Sequence, residues 1–185
     1  GLQEPTQRFI FDNGQIIPAN NINPYLVDAP NIILPSRTNP PQGLPQLIKG
    51  SQPTDGGHLI FTNEEKQQFL IIEPNAEKWL RPYIGGEELI NGSMRWCLWL
   101  KDISPSELNK LPHVLTKIDN VRKWRLTSAT KSVQECANKP SLFTQDRQPE
   151  TDYLAIPEVS SENRRFIPIG YFKSDVIASN KLLTI

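Results

Sequence analysis

Residues 141–172 read SLFTQDRQPETDYLAIPEVSSENRRFIPIGYF, and the reading of this stretch decides the fold. A polar loop bearing Arg147 leads into an apolar run. A tight Ser-Ser-Glu-Asn turn carrying Arg164 and Arg165 follows, and a second apolar run ends at Phe172. Two apolar runs around a polar turn predict a β-hairpin over Asp152–Phe172. Arginines and hydroxyls held at the ends of a rigid hairpin are donors suited to phosphates and base edges.

Working outward, strand signals continue on the C-terminal side, at Val176–Asn180 and Lys181–Ile185. On the N-terminal side, Pro112 permits a helix start, and Val114, Ile118 and Val121 recur at helical spacing up to Trp124. From Leu126 to Lys139 helix is favoured. Ser104-Pro105-Ser106-Glu107 is a capping box with proline at the first helical position, which predicts a helix to about Leu111. Thr62-Asn63-Glu64-Glu65 is another, predicting a helix to about Ile72, and a short helix carrying Trp79 is expected from Pro74. Between these helices, Glu88–Ile90, Asn91-Gly92 and Ser93–Leu100 read as a second hairpin, with MRWCLWL as a central strand.

The first third is rich in proline and asparagine, so strand and loop are expected there, with short strands at Ile32–Leu34 and His58–Phe61. Residues 1–20 are expected as a leader that becomes ordered only against something outside the chain, and 21–185 as one domain. Interspersed strands and capped helices define the fold class as α+β.

The 185 residues suffice for one sizeable core, and their formal net charge is zero, which excludes a general polyanion binder. The charges are nevertheless uneven: 121–185 holds ten Lys/Arg against seven Asp/Glu, and 61–120 holds seven against nine. Cys97 and Cys136 form neither a CxxC motif nor a Cys/His cluster, so neither a disulfide framework nor a zinc site is expected. A reduced, cytoplasmic setting follows, and no apolar run reaches membrane-spanning length.

Three catalytic readings are weak. Asn39-Pro40-Pro41-Gln42 lacks the aromatic that completes the Asn-Pro-Pro-aromatic motif with which amino methyltransferases hold a flipped base, and no Gly-rich loop follows a strand to bind a nucleoside cofactor. Asp55, Glu64 and Lys66 have the residue types of a Mg²⁺-dependent nuclease, but Glu64–Lys66 are explained as the acidic first turn of a capped helix. Cys97 with His58 or His113 could pair thiol and imidazole, yet a cysteine flanked by Trp96 and Leu98 reads as core. The tryptophan pairs Trp96/Trp99 and Trp79/Trp124 also read as core packing. Asp55-Gly56-Gly57 reads as a tight turn before a strand, whose backbone amides could also meet a phosphate.

The Lys/Arg set at 122, 123, 125, 131, 139 and 147, interleaved with hydroxyl and amide side chains, has the residue types that hydrogen-bond to DNA. Its plain alternative is a solvated surface.

Four segments together, INPYLVDAPNIIL, QPTDGGHLIFTNEE, EKWLRPYIGGEELINGSMRWCLWL and RQPETDYLAIPEVSSENRRFIPIGYF with DVIASN, resemble the target-recognition region of MmeI-type enzymes. These are single-chain bacterial restriction-modification proteins similar to N6-adenine DNA methyltransferases. The resemblance implies a larger parent in which a nuclease domain, using Mg²⁺, and an S-adenosylmethionine-dependent methyltransferase domain precede this region. The segment itself would then hold no cofactor and perform no chemistry. Its partners would be double-stranded DNA and the methyltransferase domain, and its role would be sequence recognition. Transferred onto this sequence, Arg125, Ser128, Lys131, Gln145 and Arg147 become the base-reading candidates. Lys123, Ser160, Ser161, Arg164 and Arg165 become the phosphate contacts. A nuclease fragment, or a module that only packs against other domains, remains the alternative.

Overall fold

A computed structural model describes residues 7–33, 35–37, 39–161 and 163–185. The chain divides into residues 1–44 and 45–185, a boundary well beyond the leader expected at 1–20. In the first unit, β1 (Arg8–Asp12) and β2 (Gln15–Ala19) pair antiparallel around Asn13-Gly14, whose φ values are +46° and +80°. Asp12 faces Gln15, so this is a two-residue turn of the kind that needs positive φ at both central positions. Residues 8–19 of the expected leader form this hairpin. Beyond it, Asp28 accepts the backbone N–H groups of Asn20 and Asn21, while the Asn23 side chain accepts those of Tyr25 and Val27. Ile32 and Ile33 form no strand, and Leu34 lies outside the described residues.

The second unit holds two four-stranded sheets. One has the order β3 (Ile48–Lys49), β10 (Leu182–Thr184), β7 (Tyr153–Pro157), β8 (Gly170–Phe172), all antiparallel. The other has the order β4 (Ile60–Phe61), β6 (Arg95–Leu98), β5 (Leu80–Ile84), β9 (Ile177–Ala178), with β9 parallel to β5. Strand β6 is the central strand expected from MRWCLWL. Ile84, Tyr153, Ala155, Ala178 and Leu182 form a core cluster drawn from both sheets. Gly50 allows the chain beside β3 to pass close over the last strands. A Cβ there would lie 2.4 Å from the Ser179 carbonyl oxygen.

The helices begin where their caps stand. α1 (Asn63–Ile72) opens on the Thr62–Glu65 box, in which Thr62 Oγ1 accepts the Glu65 N–H at 3.2 Å and the Glu65 carboxylate accepts the Thr62 N–H at 2.8 Å. A 3₁₀ helix follows at Pro74–Trp79. α2 (Gly86–Asn91) precedes β6, and α3 (Pro105–Leu108) opens on Ser104 but stops short of Leu111. α4 (Pro112–Leu126) buries Val114, Ile118 and Val121 against Phe61, Phe69 and Leu98. α5 (Lys131–Glu135) passes into a 3₁₀ turn at Cys136–Asn138.

Two expected hairpins are corrected. Residues 86–91 are helical, because the Glu88 carboxylate accepts the Gly85 N–H at 2.7 Å and pairs with Arg95 at 2.6 Å, which fixes a helix start. Asn91-Gly92 then ends that helix: Gly92 has φ +69° and donates its N–H to the Glu88 carbonyl. Second, β7 and β8 do pair, with Tyr153 opposite Phe172, but the connection spans 158–169 and is not a tight turn. Pro168 has no N–H for a ladder, which delays the second strand until Gly170. Glu162 of the expected turn lies outside the described residues.

Candidate nucleic-acid interface

Arg125 points inward from the last turn of α4. Its exposure is 0%, and all five of its N–H donors go to backbone carbonyls: Nε to Thr54, Nη1 to Cys136 and Lys139, Nη2 to Pro53 and Leu142, at 2.8–3.0 Å. Burial lowers its pKa from the usual arginine value, and the carbonyl dipoles replace the lost water. The side chain ties 53–54 to 136–142. Arg125 therefore cannot reach a base edge, which corrects its place among the base readers.

The loop Phe143–Gln148 is fastened at both ends and open in the middle. Phe143 stacks edge-on against Trp99 at 4.9 Å between centroids and against Tyr83 at 6.1 Å. Thr144 Oγ1 donates to the Gln52 carbonyl, and Gln52 and Gln145 exchange backbone hydrogen bonds at 2.9 and 3.2 Å. At the far end, Gln148 Nε2 donates to the Ser174 and Val176 carbonyls while its Oε1 accepts the Ala178 N–H. Between these anchors Gln145, Asp146 and Arg147 are exposed. The Arg147 backbone N–H is held by the buried Ser51 Oγ at 3.0 Å, yet its guanidinium makes no hydrogen bond among the described residues. Asp146 pairs with Lys101 at 2.6 Å, and that hydrogen bond raises the lysine pKa.

Ser128 follows α4, its hydroxyl accepting the Thr130 N–H at 3.2 Å, and Lys131 is the exposed first residue of α5. Lys123 is exposed on α4 in an i,i+4 pair with Asp119 at 2.7 Å, a surface contact weak enough to exchange for a phosphate. Ser160, Ser161, Arg164 and Arg165 are exposed in the 158–169 connection, where the Arg165 guanidinium sits 5.3 Å from the Phe166 ring centre. The loop 143–148 precedes the start of β7 and the connection leaves its end.

Among the described residues the side chains of the alternative chemistries are engaged elsewhere. The buried Asp55 uses its carboxylate to accept the Leu59 N–H at 2.6 Å, which builds the turn through Gly56 and Gly57. Glu65 closes a cap, Lys66 sits 3.2 Å over the Trp96 ring, and among the described residues no three His, Cys, Asp or Glu gather to hold a metal. Cys97 is fully buried in β6, and burial pushes its thiol pKa well up, away from nucleophilic thiolate. Trp79, Trp96 and Trp99 pack as expected against the cores, whereas Trp124 is partly exposed and lies on Gly56, where a Cβ would come within 2.6 Å of its ring. Sequence reasoning missed Gln148, Ser51 and Gln52 as anchors, since nothing in their neighbourhood distinguishes them from solvated polar residues.

Anchored loops on an α+β scaffold present exposed donors to solvent. The chain belongs to the MmeI target recognition domain family, whose model matches residues 28–185. It is 35% identical over 185 residues to DNA methyltransferase A of Bacillus subtilis (strain 168), covering 100% of this chain and 21% of that protein. A solved structure of the type IIL restriction-modification enzyme MmeI in complex with DNA is similar with a TM-score of 0.86 and 43% identity, over 100% of this chain and 26% of that one. The chain therefore spans about a fifth to a quarter of the length of these relatives. Among the described residues no helix is long and apolar enough to cross a membrane.

Proposed function

We propose that this domain reads a specific sequence in duplex DNA for a longer cytoplasmic enzyme that methylates adenine at N6. In that enzyme a separate domain supplies S-adenosylmethionine chemistry, and any DNA cleavage is carried by a further Mg²⁺-dependent domain. Gln145 and Arg147 contact base edges, and Ser128 and Lys131 are further base-reading candidates. Gln145 and Arg147 have the side chains that pair bidentately with adenine and guanine, each pair giving about 1–3 kcal/mol of discrimination. Lys123, Ser160, Ser161, Arg164 and Arg165 hold phosphates. The observation that carries the reading is the anchored loop: Phe143, Thr144 and Gln148 fix its backbone while the Arg147 guanidinium stays unbonded. A loop backbone already fixed adds no ordering cost of its own when the side chain meets a base. The DNA bound by the similar MmeI enzyme supports the same partner here.

The test is equilibrium binding by the full-length protein to its cognate duplex and to an unrelated one, across a salt series. Arg147→Ala is expected to lose about 1–3 kcal/mol on the cognate duplex and little on the other. Arg164→Ala is expected to weaken both alike and to reduce the salt slope by about one unit. Equal losses on both duplexes for Arg147→Ala would place that residue on the backbone and contradict its assignment.

A further inference from the structure

We propose that the outward face of the β3-β10-β7-β8 sheet is a protein-docking surface, covered in the longer enzyme by an apolar part of the same polypeptide outside these 185 residues. The inference rests on the reading of this domain as one part of a longer chain. It concerns a different surface from the DNA-reading loop.

The strand alternation is the first observation. In β7, Tyr153, Ala155 and Pro157 point into the core, which leaves Leu154 and Ile156 outward. Cross-strand register places Tyr171 opposite Leu154 and Leu183 opposite Ile156, and Ile169, two residues before Tyr171, continues that face. An antiparallel sheet with one face on the core ordinarily turns polar side chains to water on the other. Here the outward positions along β7, β8 and β10 read Leu, Ile, Ile, Tyr and Leu, with Lys49 of the edge strand β3 opposite Leu183. Leu154, Ile169 and Tyr171 are 42%, 60% and 68% exposed, and the apolar character continues in the neighbouring connection at Phe166 and Ile167. Contiguous apolar exposure of this kind marks an interaction site.

Charge selects the class of partner. The strands of this sheet contain one Lys or Arg, Lys49, and it is paired with Glu158 at 2.5 Å. DNA is bound through cations and hydrogen-bond donors aimed at phosphates, and this face offers almost none. Arg164 and Arg165 stand in the connection beyond the end of β7, where the Arg165 guanidinium lies 5.3 Å from the Phe166 ring centre at the border of the apolar area. At the margins, the Tyr171 hydroxyl donates to the Asp152 carboxylate at 2.9 Å, and the Lys49–Glu158 pair lies beside Leu183. An apolar centre with a polar margin is the anatomy of a protein interface.

The size of the relatives selects the occupant. The chain covers 21% and 26% of two similar proteins, so in proteins of that length about three to four times as much polypeptide lies outside this domain. A tethered body is present at a far higher effective concentration than a second molecule, so it competes best for an exposed apolar face.

Hydroxyl-radical footprinting of the full-length protein, dilute and without DNA, tests this. Rates at Leu154, Ile169 and Tyr171 are corrected by those of the corresponding free amino-acid amides. Protection of about tenfold or more at all three is expected, as for side chains at the dry centre of an interface. Full modification throughout overturns the proposal. So does protection that develops only as protein concentration rises, which identifies a second copy, or only on adding duplex, which identifies a DNA surface. Retained discrimination by the unmodified Arg147 in the binding assay, with this face fully modified, would leave the DNA reading standing and reject this inference alone.

Discussion

Arg125 and Arg147 come from the same basic stretch, but Arg125 uses every donor inside the protein while Arg147 leaves its guanidinium in solvent. Removing the first strands five buried carbonyls; a lysine restores the charge but cannot reproduce the planar fork. Arg125→Ala is expected to lower unfolding free energy by about 3–5 kcal/mol, and Arg125→Lys to recover only part of that. Chemical denaturation measures both, and a loss below about 1 kcal/mol for alanine would mean the five bonds are not the staple described. Tyr153 provides a pH test. Burial pushes its phenol up to about 12 from the ordinary 10.0, while its hydroxyl donates to the Val176 carbonyl at 2.6 Å. A raised folded-state pKa means the stabilisation is complete below pH 10.0 and is lost as pH climbs towards 12. The denaturation midpoint of wild type should therefore exceed that of Tyr153→Phe at pH 9, and the gap should narrow from pH 10.0 to 12. A constant gap over that range would exclude titration of this phenol.

At the scale of elements, caps and punctuation carried most of the legible information. Thr62, Ser104 and Pro112 announced three helix starts, and Val114, Ile118 and Val121 announced the buried face of α4. Thr62→Ala should cost about 1 kcal/mol through loss of the capping box, read as a shift in denaturation midpoint. No shift would mean the α1 terminus is held by packing alone. Gly92 was legible as a left-handed residue but not as a helix stop, because the deciding contact, Glu88 with Arg95 and the Gly85 amide, joins groups whose pairing needs the fold. The same limit hid the role of Gln148, whose three hydrogen bonds reach residues 26–30 positions away. The Asn13-Gly14 pair is legible as a hairpin turn, whereas the proline-rich residues that follow argue for loop. Arg125 was not legible at all, since a buried and an exposed arginine share one letter and only a carbonyl cage separates them.

For the whole molecule, zero net charge means that affinity for DNA must come from a few placed contacts and not from a general field. The proposed division of labour follows: this domain contributes discrimination, and the remainder of a longer enzyme contributes chemistry and much of the electrostatic grip. The most direct measurement is the methylated motif written into genomic DNA by the full-length enzyme carrying Arg147→Ala, compared with the wild type. Loss of methylation, or a motif degenerate at one base pair, with S-adenosylmethionine still bound, is the predicted result. Methylation of the original motif at the original level would contradict base reading by the 143–148 loop.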